Sequence, residues 1–537
     1  MQVGTGHLVK GTLQVSASRA IDGVVGLAFS VIVARTLGPD YGYVGAAMGV
    51  WGVLNIVSTV SVPIANTRYV ADLTSRRGNE AARTSVGRTM LLECVLTAVA
   101  AVALFLLAGP LADDVFHKPG LAGPLRIVAP MLLFAGVSGV WLSTFQGLHR
   151  YGPFASIVAI NPLVRLGGAV VFLALGWGVA GAMYGFLVGH AAALLLGTAL
   201  GAVLLARDLP PSDPDQGTVV DSEVLCVPPR YGELLSFGAV VTVGTVASVV
   251  FESVDKLMLA AWRPIGEVAI YTVAFGMVAV PLVLPRSVNV AFYPLVSTLN
   301  GRGDMATLRR VIAQVMRLML LIMGFVTFTM MALAPWLLGL LYGEDFAGAV
   351  APFMVLALWG FVRPVGTLAF SIPQGMGRPM VGAWGMVLTM ALSVGLNAAL
   401  IPMFGIMGAA VATTFSYALG FSYITYSAFR LVGATFPWDA ALRAMGSAAG
   451  AAAAAFALRY ALASVTATSP AAVLLPALLV GGLLALGVYL LLLGLSRAVS
   501  EEEVAFVRGL GFFGSRTLAR IVAFVCRMRP RRDAGRT

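Results

Sequence analysis

Ten charged side chains interrupt otherwise apolar stretches of this sequence: Arg19, Asp22, Glu93, Arg165, Glu252, Asp255, Lys256, Arg286, Arg317 and Arg363. In hydrocarbon each costs at least about 2.5–3.5 kcal/mol, so each needs an ionic partner or a watery cavity. Arg165, Arg286 and Arg363 have no acid within one helical turn, and their charge must be met from another helix or by a ligand. A guanidinium presents a planar fork of donors that matches phosphate oxygens. Together with Lys256 and Arg19, these arginines are the candidate set for holding a phosphate-bearing head group. Arg286 follows Pro285 and Arg363 precedes Pro364, where a missing backbone donor frees carbonyls that only a wet or protein-lined cavity tolerates. Pairing of the arginines with Glu93, Glu252 or Asp255 across the bundle is the structural alternative. Arg317, close to a span end, reads most simply as snorkelling.

Asp22 lies three residues from Arg19 and Glu252 lies four from Lys256, so each acid shares a helical face with a base. Such a pair reads either as self-neutralised structure or as a carboxylate whose release is tied to movement, which is how H+ or Na+ is coupled. Asp22, Asp255 and Glu252 are the candidates for ion coupling. His7, His117, His149 and His190, like Cys94, Cys226 and Cys526, are scattered without metal-ligand spacing, so neither a metal nor another cofactor is expected. No catalytic residues are assigned. A phosphate-cradling loop ends in Gly-Lys-Ser/Thr, and none of the three lysines, Lys10, Lys118 and Lys256, follows a glycine; an ATP-driven pump is excluded.

The elements that must position these groups are membrane helices. Of 537 residues, 59% are hydrophobic and 11% charged, against about 25% charged in soluble domains. The apolar runs are continuous rather than alternating, which excludes an outer-membrane barrel. About fourteen runs are long enough to cross a bilayer: 11–34, 42–65, 86–108, 122–145, 153–175, 179–206, 233–260, 267–296, 309–334, 348–371, 379–401, 406–429, 442–464 and 470–495. The polar start, Met1 to Lys10, runs into a full-length apolar segment, unlike a cleavable signal peptide. Loops with Arg68, Arg76, Arg77, Arg83, Arg150, Arg302, Arg309, Arg310, Arg378, Arg430 and Arg443 fall on one side. By the positive-inside rule that side is cytoplasmic, and both termini are expected there.

A Pro- and acid-rich linker, 207–232, divides the chain into 1–206, with six spans, and the remainder. A shift of 228 residues aligns Arg35-Thr36-Leu37-Gly38 with Arg263-Pro264-Ile265-Gly266, Tyr43 with Tyr271, and Gln146-Gly147-Leu148-His149-Arg150 with Gln374-Gly375-Met376-Gly377-Arg378. A shift of 227 pairs Gly178–Ala182 with Gly405–Ala409. The expected architecture is an all-α polytopic membrane protein with two parallel six-helix repeats. These form an N-lobe (1–206) and a C-lobe (233–430), followed by two extra spans (431–496) and a basic tail (497–537). Parallel repeats of this kind are a transporter layout. Because Arg35, Arg263, Arg150 and Arg378 recur between the copies, they read as hinge or loop-closing residues. The tail combines nine arginines with a capping box, Ser500 to Glu503, and spaced phenylalanines. It is expected to form an amphipathic helix on the anionic membrane surface. A docking site for glycosyltransferases is its alternative role, and no nucleic-acid-binding module frames it.

Val33 to Tyr43 (VARTLGPDYGY), Asn66 to Ala71 (NTRYVA), Val254 to Leu259 (VDKLML) and the paired Gln-Gly-x-x-Arg loops resemble the polysaccharide or oligosaccharide-lipid flippases. Their superfamily also holds the multidrug and toxic-compound extrusion transporters and the lipid-linked peptidoglycan-precursor flippases. The resemblance covers residues 10–430 and rests on order and spacing, since no one motif is specific alone. It implies a V-shaped, alternating-access protein of the cytoplasmic membrane. Its implied substrate is a polyprenyl-linked oligosaccharide, its surroundings membrane lipids, and its neighbours the glycosyltransferases or polymerase of one pathway. Two other functions stay open: a cation-coupled multidrug antiporter, which would favour an acidic cavity, and a membrane-embedded glycan polymerase or glycosyltransferase, which would favour a large outer loop.

Overall fold

In lipid, backbone polar groups must be satisfied within the segment, so long Ala-, Leu- and Val-rich runs fold as helices. The computed structural model describes residues 5–75, 79–207, 228–462 and 471–496, with Ala523 beyond them. Most of the expected linker, Arg76 and Arg77, and the expected tail helix lie outside the described residues. Within them there are sixteen α-helices and no strand. They are α1 (Thr5–Leu37), α2 (Tyr41–Thr59), α3 (Val62–Ser75), α4 (Asn79–Pro110), α5 (Ala122–Gly147), α6 (Tyr151–Ala174), α7 (Gly178–Arg207) and α8 (Tyr231–Trp262). There follow α9 (Ile265–Ala279), α10 (Val283–Gly301), α11 (Met305–Ala332), α12 (Ala334–Tyr342), α13 (Val350–Gly375), α14 (Pro379–Val432), α15 (Trp438–Ala461) and α16 (Ala471–Leu495). Eleven described stretches are long and apolar enough to cross a membrane. The chain is a multi-pass membrane protein.

Several spans are not the single helices that hydropathy suggests. The run 42–65 breaks between α2 and α3, where Val60 (φ 46) and Ser61 (φ 48) take the left-handed conformation just before Pro63. A β-branched residue there is strained. The run 267–296 breaks at a 3-10 turn, Val280–Leu282, where Pro281 removes a backbone donor. Conversely, 379–401 and 406–429 join in α14, which turns at Gly405 (φ 56, ψ −132), a conformation glycine adopts freely.

The described chain packs as two units, one of residues 1–276 with 390–409 and the other of 277–389 with 410–537. Glycine faces govern the first. On α7, Gly181, Gly185, Gly189, Ala193, Gly197 and Gly201 recur every fourth residue, so one face has almost no side chain and neighbouring backbones approach closely. A Cβ at Gly185 would lie 2.9 Å from the Ala169 Cα of α6, and one at Gly189 2.8 Å from the Asn161 carbonyl. A second such face, Gly42, Gly45, Gly49 and Gly52 on α2, receives Ser253 and Leu257 of α8 and Ile265 and Thr272 of α9. For that reason α8, which the linker-based division places in the second lobe, packs with the first unit. Between α4 and α5, Lys118 Nζ donates to the Ala260 carbonyl at the end of α8, 2.5 Å away. Partial burial lowers its pKa.

In the second unit, Ala444, Ala448, Ala451 and Ala455 give α15 a thin face that packs with Leu321, Trp336, Ala485 and Tyr489. Tyr489 donates to the Leu321 carbonyl at 2.6 Å. Arg317 lies 3.5 Å from Asp439, so its charge is met inside the unit.

At the 228-residue shift the two Gln-Gly-x-x-Arg loops close on the same three backbone bonds. Leu148, His149 and Arg150 donate to Thr144, Gln146 and Phe145; Met376, Gly377 and Arg378 donate to Ile372, Gln374 and Pro373. His149 (φ 56) takes the left-handed place that Gly377 (φ 74) fills.

The α6–α7 contact generates a stability prediction. Gly185→Val should lower stability by about 1–3 kcal/mol, the usual cost of overpacking, seen as a lower Tm of the detergent-solubilised protein. Gly167→Ala, where a Cβ meets nothing within 4 Å, should leave Tm unchanged.

Candidate functional site

The close approach of α6 and α7 sets Asn161 and Arg165 beside His190, which directly follows Gly189. These side chains, with Asp22 of α1 and Trp51 and Asn55 of α2, line a cavity of about 340 Å³ in the first unit. Small and apolar residues of α5 complete the wall. The volume is within the range of small-molecule sites, roughly 300–1,000 Å³.

Arg165 is the cavity's half-buried cation. Its nearest acid is Asp22, with Nη2 3.7 Å from Oδ1, and the two side chains are 16% and 56% exposed. Its guanidinium carbon lies 5.3 Å from the Phe29 ring centre and 5.1 Å from that of Phe186, and the two rings meet edge to face at 4.7 Å. Aromatic faces attract a cation, so Arg165 is held partly by π-systems and partly by a loose, half-exposed ion pair. Asn161 Nδ2 donates to His190 Nδ1 at 3.2 Å, and the His190 ring lies 5.3 Å from Trp51. Three buried atoms around this cavity have no partner among the described residues: the Trp51 and Arg165 Nε-type N–H donors and the Asn55 carbonyl oxygen. Buried polar groups are normally satisfied. Two donors and an acceptor left open beside one guanidinium fit a ligand with anionic and hydroxyl groups.

The other candidates lie elsewhere. Arg19 is exposed on α1, and Asp22 faces Arg165 rather than remaining with Arg19 alone. On α8, Asp255 is fully buried; it accepts from Tyr271 Oη at 2.6 Å and from the Lys256 backbone N–H at 2.7 Å. Lys256 Nζ sits 4.5 Å above the Phe275 ring, and Glu252 is half-buried. Arg286 and Arg363 belong to the second unit and do not line this cavity. Arg286 is exposed on α10. Arg363 is buried against Trp359 and Tyr417, 4.9 and 5.4 Å from their ring centres.

Among the repeated arginines, Arg35 is exposed at the end of α1, and Arg150 and Arg378 are exposed in their loops. Arg263 makes two 2.9 Å hydrogen bonds to Glu267, closing the turn between α8 and α9 against the backbone of Gly405. Sequence reasoning missed Glu267, although its spacing of four from Arg263 signals a pair. It also passed over Trp51, Asn55, Asn161 and His190. Neutral polar residues carry no large insertion cost to mark them, and the usable signal was His190 adjoining the glycine face.

Comparison with known proteins places this geometry. A family model described as polysaccharide biosynthesis protein matches residues 8–300. The probable low-salt glycan biosynthesis flippase Agl15 of Haloferax volcanii is 21% identical over 278 residues, 52% of this chain and 55% of that relative. The chain thus spans little more than half of that relative's length. Among solved structures, the inward closed lipid II flippase MurJ superposes with a TM-score of 0.67 at 13% identity, over 89% of this chain and 98% of the other. An inward-facing multidrug resistance MATE family transporter of the MOP superfamily gives 0.63 at 15% identity, over 77% and 94%. The chain has the fold of these transporters.

The loose Asp22–Arg165 pair yields a binding prediction. An exposed pair is worth about 0.2–1 kcal/mol, so Asp22→Asn should raise the affinity for pyrophosphate by roughly 1.5- to 5-fold. Arg165→Gln should abolish that binding. Both effects are read by thermal-shift titration of the detergent-solubilised protein.

Proposed function

We propose that this chain, which belongs to the polysaccharide biosynthesis protein family, is a flippase that moves a polyprenyl-(di)phosphate-linked oligosaccharide across the cytoplasmic membrane. The observation that carries the reading is Arg165, a largely enclosed guanidinium at a cavity whose Trp51, Asn55 and Arg165 atoms have no partner among the described residues. Phosphate oxygens complement the guanidinium fork, and saccharide hydroxyls complement the Trp51 donor and the Asn55 acceptor. The flippase named among its relatives supports the same activity.

In this account Asp22 and the head-group phosphate compete for Arg165. A proton or sodium ion taken by Asp22 releases the guanidinium to the substrate, and its loss returns Arg165 to Asp22. Asp255 and Glu252 on α8 are the further coupling candidates. Lys256 and Arg286 are further candidates for meeting the negative charge of the head group, while Arg363, enclosed by rings, positions α13 against α14. The Arg-rich loops and both termini face the cytoplasm, where the lipid-linked substrate is assembled by the glycosyltransferases of the pathway.

Translocation of a fluorescent polyprenyl-diphosphate-linked saccharide in proteoliposomes tests the proposal. A hydrogen bond to a charged group is worth about 1.5–3 kcal/mol, so Arg165→Gln should slow transfer by roughly 10- to 100-fold with Tm preserved. Arg363→Gln should instead lower Tm. Unchanged transfer by a folded Arg165→Gln protein would overturn the role of Arg165. Efflux of cationic dyes by the same vesicles would favour the antiporter alternative.

A further inference from the structure

The buried face of α4 carries an unusual series. Ser85, Thr89, Glu93 and Thr97 follow one another at intervals of four, and all four are completely enclosed. They form a polar seam about 18 Å long at 1.5 Å per residue. The seam starts in the second turn of α4. Toward the other end of the helix, the buried positions are Leu104 and Ala108, so the polar face stops just past Glu93.

Asn66 of α3 joins the seam to α5. Its Nδ2 donates to Ser143 Oγ at 2.8 Å and Thr144 Oγ1 at 2.9 Å, and its Oδ1 accepts from Thr89 Oγ1 at 3.2 Å. Thr97 returns its hydroxyl proton to the Glu93 backbone carbonyl at 2.5 Å. Among the described residues Glu93 has no hydrogen-bond partner at either carboxyl oxygen, and neither has the Ser85 hydroxyl. Across the helix contact stands Gly136 of α5, where a Cβ would come 2.4 Å from Thr97 Cγ2 and 3.3 Å from Glu93 Oε2. Glycine there lets α5 lie close against Thr97 and the carboxyl.

Among the described residues no charged group pairs with this acid. On α3, Arg68 and Asp72 are exposed and Tyr69 is half-buried; on α5, Arg126 is exposed; on α4, Glu80 and Cys94 are exposed and Arg83 and Arg88 are half-buried, with Arg88 donating to the Pro228 and Pro229 carbonyls. α2 carries only Tyr41 and Tyr43, and the turn after α4 has exposed Asp113 and Asp114. From α8 come Glu233, Glu252, Asp255, Lys256 and Tyr231, none of which hydrogen-bonds to Glu93. An enclosed, unpaired charge is expensive. A metal cation would need several oxygen ligands, whereas a proton needs one lone pair.

We infer that Glu93 is a reversible proton-binding site, served through the Ser85–Thr89 seam from the end of the protein where α4 begins. Neither hydroxyl is hydrogen-bonded to the carboxyl, so a proton passes along this face when water enters between Ser85, Thr89 and Glu93, with each hydroxyl able to donate to it and accept from it. The apolar positions Leu104 and Ala108 deny access from the opposite end. The site makes α4 a carrier of one exchangeable proton, whatever molecule the protein transports.

Infrared difference spectroscopy on the full chain in proteoliposomes tests this, with glutamate labelled in its carboxyl carbon. Among the described residues Glu93 is the only buried glutamate. At neutral pH the wild type should display the isotope-shifted carbonyl band of a buried glutamic acid, and that band should shift further in D2O. It should vanish in Glu93→Gln and also in Glu93→Asp, which retains a carboxyl outside the label if the amide variant fails to fold. Thr89→Val together with Ser85→Ala should slow the deuterium shift of the band. Absence of the band in the wild type, its persistence in both Glu93 variants, or a response to sodium in place of pH would overturn the proton site. Unaltered deuterium exchange in the seam variant would overturn the access route.

Discussion

A guanidinium held at bilayer depth must be paid for in electrostatic terms, and the surroundings of Arg165 follow from that requirement. Two aromatic rings, one loosely placed carboxylate and a cavity with several polar groups in its wall share the task, so that no single partner neutralises the charge. A tight, bidentate pair would have made Arg165 a structural residue, as Arg263 is with Glu267. Arg363 also lies over two rings, those of Trp359 and Tyr417, and is itself buried. The difference among these arginines is geometric, although all three interrupt or terminate apolar helices. Partial neutralisation leaves binding capacity for an incoming anion.

That arrangement depends in turn on close helix contact. Arg165 and Asn161 meet His190 only because Gly185 and Gly189 let α7 approach the backbone of α6. The glycine face of α2 brings Trp51 and Asn55 to the same cavity and draws α8 into the first unit. In a lipid solvent there is little hydrophobic gain from joining two apolar helices, so close packing and buried polar contacts carry association. The seam of Asn66, Thr89, Ser143 and Thr144 is the hydrogen-bonding counterpart of those glycine faces.

Much of the fold was legible in the sequence because hydropathy and proline placement act locally. Long apolar runs specify helices, and the Gln-Gly-x-x-Arg repeat announces two loops with the same backbone bonds. Less legible were breaks inside a run. Val60 and Ser61 carry no composition cue for a left-handed backbone, and only Pro63 hints at the interruption. The site was half visible. Arg165 and Asp22 stood out by the cost of their charges, yet their pairing joins helices 143 positions apart in sequence and no local spacing encodes it. Glu93 was visible as a charge, but its isolation depends on what α3 and α5 place around it.

Photocrosslinking tests the central claim most directly. A polyprenyl-diphosphate-linked saccharide bearing a photoreactive group in its head is irradiated with the reconstituted protein, and the labelled peptides are mapped. The account predicts adducts on the segments that line the first-unit cavity, around Trp51 and Asn55, Asn161 to Arg165, and Phe186 to His190, with competition by unlabelled pyrophosphate. Adducts confined to lipid-facing residues, or labelling that pyrophosphate leaves unchanged, would contradict it.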